Sequence, residues 1–149
     1  MLQDKRIIIT GAGSGIGKAT SLLAAKYGAK ITCVDLSESV EQTAHQIRSD
    51  GGSAIAIKAD ISVEESVIKF VDQAIYEFGG IDGIYANAGV PGGGKPFTEL
   101  TVEDWQHTLN INTVGVFLAI KHTVPHFTKQ GSGALLATAS VAGLRANAG

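Results

Sequence analysis

Near the start of the chain an apolar, β-branched run, Ile7-Ile8-Ile9-Thr10, breaks off at a glycine cluster. The cluster reads Gly11-Ala12-Gly13-Ser14-Gly15-Ile16-Gly17, and a helical pattern follows at once. Few folds accept that order. A strand, a tight turn and a helix N-terminus in direct succession leave the first N–H donors of the helix unpaired. Those donors stand at the positive end of the helix dipole, beside backbone that carries almost no side chains. Such a turn is a cradle for phosphate.

The rest of the chain repeats the alternation. Short apolar runs rich in Ile, Val and Ala predict strands at 6–10, 30–35, 54–58, 82–86 and 133–138. Helical patterns fall at 15–28, 38–50, 63–78, 102–107 and 110–129. Continuous rather than alternating apolar character predicts strands buried on both faces. Strands alternating with helices imply a parallel sheet with right-handed crossovers and helices on both sides. Helix starts carry candidate caps: Ser37 before Glu38 and Glu41, Ser62 with Glu65 as a capping box, and Thr101 before Glu103 and Asp104. Gly28, Gly51 and Gly79 stand where helices should stop. Val63, Val67, Phe70, Val71 and Ile75 form one apolar stripe, expected to face the core. The glycine-rich stretch Val90–Pro96 follows the fourth strand, at the end of the sheet where open α/β folds bind ligands. A plain connection fits it equally well.

With 149 residues, 44% of them hydrophobic, one domain with its own core is expected. A net charge of −2 argues against nucleic acid or an acidic membrane as partner. The one cysteine, Cys33, lies inside an apolar strand and is expected to be a buried, inert thiol in a reducing compartment. Residues 2–6 are polar and do not resemble a secretory signal, and Val114–Ile120 is too short to span a bilayer. A soluble, cytoplasmic protein is the expectation. His122 and His126 are four apart, but Pro125 intervenes and no neighbouring carboxylate in sequence completes a metal site. A solvated helix face is expected there, and no metal. Trp105 is expected to be a core or interface residue.

The glycine spacing narrows the ligand. Gly-x-Gly-x-x-Gly does not match: the sixth position is Ile16 counted from Gly11 and Lys18 counted from Gly13. What stands here is Thr-Gly-x-x-x-Gly-x-Gly, at Thr10, Gly11, Gly15 and Gly17. The second predicted strand ends at Asp35, eighteen residues after Gly17. A carboxylate at that place accepts the ribose hydroxyls of an adenosine and repels a 2′-phosphate. Leu36 and Ser37 follow it, and no basic residue lies inside the turn. NAD is therefore expected over NADP.

On these residues the chain resembles a short-chain dehydrogenase/reductase of the classical type along its whole length. The resemblance implies a Rossmann-type doubly wound parallel sheet with strands one to five present. It implies cofactor contacts at Thr10, Gly11, Gly13, Ser14, Gly15, Ile16, Gly17, Asp35 and Leu36. Asp60, with Ile61 beside it, resembles the acid that meets the adenine amino group. Asn87-Ala88-Gly89 resembles the Asn-Asn-Ala-Gly motif, with Ala86 replacing its first Asn. Asn110-Ile111-Asn112-Thr113-Val114-Gly115 resembles the Asn motif of the long central helix, where Asn112 would hold a water in a proton relay. Ala137-Thr138-Ala139-Ser140-Val141-Ala142-Gly143 resembles the segment after strand five, where Ser140 would bond the substrate oxygen.

The family's acid/base motif, Tyr-x-x-x-Lys, does not occur. Tyr27, Tyr76 and Tyr85 are followed four residues on by Ile31, Gly80 and Gly89. The resemblance thus implies the cofactor half of an NAD-dependent oxidoreductase, truncated before that motif. The whole enzyme would interconvert a small alcohol and a carbonyl compound as a homodimer or homotetramer. The alternative is a catalytically inactive, truncated dinucleotide-binding fragment. Without the missing part, strand five would be an exposed edge and the fragment prone to aggregate. A methyltransferase also uses a glycine loop and a second-strand acid, but gives the Asn87, Asn112 and Ser140 segments no role.

Overall fold

The computed structural model describes residues 1–92 and 94–144. Five strands form one parallel sheet: β1 (Arg6–Thr10), β2 (Lys30–Asp35), β3 (Ser53–Lys58), β4 (Gly83–Ala86) and β5 (Ala134–Ala137). They lie in the order β3-β2-β1-β4-β5. The chain moves outward from β1 to β3, then crosses back to place β4 on the other side of β1. That reversal opens a crevice at the carboxyl ends of β1 and β4, where ligands bind in open α/β sheets.

Five α-helices connect the strands: α1 (Gly15–Lys26), α2 (Ser39–Ser49), α3 (Glu64–Phe78), α4 (Val102–Leu109) and α5 (Gly115–Gln130). Alternate strand residues separate into two cores. Ile9, Ile31 and Cys33 pack with Ala24, Val40, Ala44 and Ile47 of α1 and α2. Ile8, Val34 and Ile84 pack with Val67, Phe70, Val71, Leu118 and Phe127 of α3 and α5. Period two along a strand, with apolar residues on both faces, makes β1 and β2 the centre of the molecule. Burial pushes the Cys33 thiol up to about 12, so it stays un-ionised and unreactive.

Several local expectations need correction. Thr101 does cap α4, with Asp104 closing the box. Ser62 does not cap α3: the cap position is Val63, and the Ser62 hydroxyl donates to Asp60 at 2.6 Å. Ser37 likewise turns from α2 into a loop contact, accepting from the Ser39 N–H, while Glu38 takes the cap position. In both cases a strand-end carboxylate competes for the serine or its backbone and wins over the helix terminus. The α3 stripe is buried at Val67, Phe70 and Val71, with Ala74 completing it, whereas Val63 is 46% exposed. His122 has a carboxylate partner after all: Glu64 of α3 lies 2.8 Å from it and 2.7 Å from Lys121. These residues are far apart in sequence, so only the packing of α3 on α5 joins them. Trp105 is half-exposed and meets Phe97 edge-on at 6.4 Å. The segment 110–129 is not one uniform helix: Asn110–Val114 forms a π-helical turn between α4 and α5.

β5 is an edge strand. Leu135 and Leu136 are 47% and 60% exposed, on opposite faces. No helix of the described residues is long and apolar enough to cross a membrane.

The amino ends of β1 and β4 and the carboxyl end of α5 are joined by a polar staple. Arg6 donates to both oxygens of Asp82, at 2.7 and 3.0 Å, and to the carbonyl of Gly79 and the Gln130 side chain. The Arg6 guanidinium, chiefly by these hydrogen bonds, holds the Asp82 carboxyl at about 2. Its ordinary value is 3.8, and both side chains are less than a quarter exposed. A lowered carboxyl stabilises the fold above its unfolded pKa and ceases to do so as pH falls through the folded one. Urea unfolding between pH 4 and 2 is therefore expected to show wild type losing up to roughly 2 kcal/mol more than Asp82→Asn. Equal acid losses in the two proteins would remove this role from Asp82. Because Cys33 is fully buried and un-ionised, a thiol reagent at pH 8 is expected to label it only after denaturation. Prompt labelling of the folded protein would contradict the packing of β2.

Candidate active site

The glycine turn is built by backbone meeting backbone. At Gly17 a Cβ would collide with the carbonyl of Gly11 and come within 2.8 Å of the Asn87 amide nitrogen. At Gly11, which has φ +70°, it would lie 3.0 Å from both Asn87 and Ala88. Helix α1 therefore starts against the end of β1 only because no side chain intervenes. Gly15 differs: a Cβ there would meet nothing within 4 Å, so its side of the turn is open to a ligand.

β1 and β4 are tied together just below this turn. The Thr10 hydroxyl accepts the N–H groups of Asn87 and Ala88, each at 3.0 Å. The Asn87 amide donates back to the Thr10 carbonyl at 3.1 Å. At the end of β2, the two oxygens of Asp35 accept from the N–H of Gly13 and of Ser37, both at 2.9 Å. Asp35 thus braces the glycine turn against β2 and still keeps free lone pairs facing the cleft, since a carboxylate accepts about four bonds. Asp60 accepts from the backbone and the hydroxyl of Ser62.

A cleft of about 1210 Å³ opens over these strand ends. Gly11, Ser14, Gly15, Ile16, Asp35, Leu36, Asp60, Ile61, Asn87, Ala88, Gly89, Asn112 and Ser140 all line it. Thr10, Gly13 and Gly17 do not reach it; they form its underside, through the contacts just given. Ile16 and Leu36 are more than 60% exposed at its rim. Ile61 is mostly buried: Gly115, whose Cβ would lie 2.6 Å from the Ile61 side chain, lets α5 close over it. Val90, Ile111, Thr113, Val116, Thr138 and Leu144 also line the cleft. Their apolar or small side chains carry no chemical signature, and only the fold brings them to the opening.

Asn112 lies in the π-helical turn, a feature common at functional sites. Its amide clamps the loop after β4: Oδ1 accepts from the Val90 N–H at 2.8 Å and Nδ2 donates to the Val90 carbonyl at 2.9 Å. Ser140 accepts from the Ala142 N–H at 3.2 Å, which leaves its own hydrogen free to donate into the cleft. Among the described residues no group of three or more His, Cys, Asp or Glu side chains could hold a metal ion.

The donor set fits a dinucleotide. An open helix N-terminus faces the middle of the cleft, a carboxylate stands at the end of β2, and Gly89 permits close approach on the β4 side, where a Cβ would lie 3.1 Å from Asn112. The two glycines on either side of the turn should respond differently to a methyl group. Gly17→Ala forces two backbone segments apart and is expected to cost roughly 3 kcal/mol or more. Gly15→Ala meets open space and only the strain of its φ of +50°, worth about 1 kcal/mol. Thermal unfolding of the two variants checks the order, and equal losses would refute the close packing at Gly17.

Comparison with known proteins gives the same reading. The family described as short chain dehydrogenase matches residues 5–149. An uncharacterized oxidoreductase of Listeria monocytogenes is 41% identical over 149 residues, covering 99% of this chain and 60% of the relative. The cis-4-hydroxycyclohexanecarboxylate dehydrogenase of Sinomonas cyclohexanicum is 38% identical, over 94% of this chain and 56% of its own. The crystal structure of an NAD+-bound xylitol dehydrogenase superposes with a TM-score of 0.93 at 34% identity, over 97% of this chain and 56% of that one. The chain thus spans somewhat under two thirds of the length of the relatives it matches. With the glycine turn, the strand-end carboxylate and a family match over nearly every residue, the chain belongs to the short-chain dehydrogenase/reductase family of oxidoreductases.

Proposed function

We propose that these residues form the NAD-binding domain of an oxidoreductase that interconverts a small alcohol and its carbonyl compound. The observation that carries the reading is the shared cleft: the glycine turn, Asp35, Asn112 and Ser140 meet at the carboxyl ends of the strands. Two related proteins add support, since the xylitol dehydrogenase holds NAD+ and the Sinomonas enzyme is a dehydrogenase of a hydroxycyclohexane acid.

When bound, the nicotinamide ring supplies or accepts the hydride. The first turn of α1 binds the pyrophosphate through backbone N–H groups and its dipole. Asp35 accepts from the adenosine ribose hydroxyls, and its negative charge disfavours a 2′-phosphate. Asp60 and Ile61 line the adenine end, while Ala88 and Gly89 form the floor. Ser140 donates to the substrate oxygen. Asn112 fixes the Val90 loop, and its spare amide hydrogen and lone pair remain to hold a water. No tyrosine with a lysine four residues on occurs among the 149 residues, so the acid/base pair is not theirs to supply. The alcohol or carbonyl activity is accordingly proposed for the whole protein, as a cytoplasmic homodimer or homotetramer without nucleic-acid or membrane partners.

Fluorescence titration with NADH and NADPH tests the cofactor half of the proposal. NADH is expected to bind the more tightly, and Asp35→Ala to reduce that preference by roughly ten- to a hundredfold, as for loss of hydrogen bonds to a charged group. An unchanged preference would remove Asp35 from the ribose site. Residues 1–149 alone are expected to bind NADH without turnover. Oxidation of alcohols by that segment would refute the assignment of the acid/base pair elsewhere.

A further inference from the structure

Tyr85 and Thr138 carry a polar chain that the proposed chemistry does not use. Tyr85, Asn87 and Thr138 share one face of the sheet, because β4 and β5 are in parallel register with Tyr85 opposite Leu136. The Thr138 hydroxyl lies 2.8 Å from the Tyr85 hydroxyl and 2.9 Å from Asn87 Oδ1. A threonine has one hydroxyl hydrogen, and an amide oxygen only accepts. The hydrogen of Thr138 therefore goes to Asn87, and the phenol of Tyr85 donates to Thr138. The direction of the chain then follows: Tyr85 to Thr138, Thr138 to Asn87 Oδ1, and Asn87 Nδ2 to the Thr10 carbonyl.

Both ends of the Asn87 amide are thereby held, the nitrogen by the Thr10 carbonyl and the oxygen by Thr138. Its nitrogen end stands 3.0 Å from where a Cβ on Gly11 would be and 2.8 Å from the same point at Gly17. It fills the crook under the glycine turn. Without the donor from Thr138, the Thr10 carbonyl alone holds the amide in this orientation. Turned over, the amide would set its oxygen against the Thr10 carbonyl, with repulsion in place of a hydrogen bond. One of the three bonds between Thr10 and the residues after β4 would then be lost beneath the glycine turn, leaving those to the Thr10 hydroxyl.

We infer that Tyr85 and Thr138 are positioning residues for dinucleotide binding: they orient the Asn87 amide, and through it the glycine turn. This rests on the reading of the cleft as a dinucleotide site. Neither side chain needs to touch the ligand for the effect.

The test is an NADH fluorescence titration of the complete protein with Thr138→Val, Thr138→Ser and Tyr85→Phe, alongside thermal unfolding without ligand. Valine keeps the shape and strand preference of threonine and removes the hydroxyl. Thr138→Val is expected to raise the Kd for NADH roughly three- to tenfold, the worth of one net hydrogen bond, with little change in unliganded Tm. Thr138→Ser is expected to restore wild-type Kd. Tyr85→Phe, which removes the donor that fixes the Thr138 hydroxyl but leaves the bond from Thr138 to Asn87 possible, is expected to produce a smaller rise of the same sign. Equal Kd values for wild type and Thr138→Val would overturn the inference while leaving the dinucleotide site standing. Weakening by valine and serine alike would overturn it too, since packing rather than the hydroxyl would then be responsible. Failure of wild type to bind either NADH or NADPH would overturn the site assignment, and this inference with it.

Discussion

The contact between Gly17 and the carbonyl of Gly11 is the constraint on which the rest of the site depends. β1 is buried on both faces, so the chain leaving it has no room to swing wide. α1 must begin within one turn of the strand end if it is to cover Ile9 and Ile31. That geometry is available only where backbone touches backbone. Its by-product is chemical: the same absence of side chains leaves the first donors of α1 facing an open cleft. Packing asks for Gly17, whereas Gly15 leaves the cleft side of the turn open. Asp35 extends the arrangement to β2 by accepting the Gly13 N–H. The Thr10 hydroxyl extends it to β4 through the N–H groups of Asn87 and Ala88.

The opposite end of the sheet is held in a different way. There the Arg6–Asp82 pair, with Gly79 and Gln130, ties β1 to β4 and α5 by charge-assisted bonds. At the carboxyl end the ties run to backbone groups, those of Thr10 neutral and that of Asp35 from a carboxylate to the Gly13 N–H, and Asp35 and Asp60 line the cleft. Its carboxylates are braced by N–H groups rather than neutralised by lysine or arginine.

β5 marks the boundary of what these residues bury. β1 and β2 are covered on both faces, whereas β5 shows Leu135 on one face and Leu136 on the other. The relatives are longer than this chain. The Tyr85–Thr138–Asn87 chain lies on the same strands. It links β5, which pairs with β4 at the edge of the sheet, to the glycine turn.

The sequence by itself determined the alternation of strands and helices, the glycine turn and the carboxylate at the end of β2. These are written in local period, in glycine spacing and in the distance from turn to acid, none of which needs a partner far along the chain. Asn112 and Ser140 stand in motifs whose residues are neighbours in sequence, and both line the cleft. What the sequence could not determine was which of several competing partners a polar group would take. Ser62 had the spacing of a cap, and Asp60 took its hydroxyl. His122 had no carboxylate nearby in sequence, and the packing of α3 on α5 supplied Glu64. Nothing local foretold that Asn112 would clamp Val90 from a π-helical turn, or that Thr138 would orient Asn87. Hydrogen bonds between side chains dozens of residues apart depend on strand register and order, and those exist only once the sheet has closed.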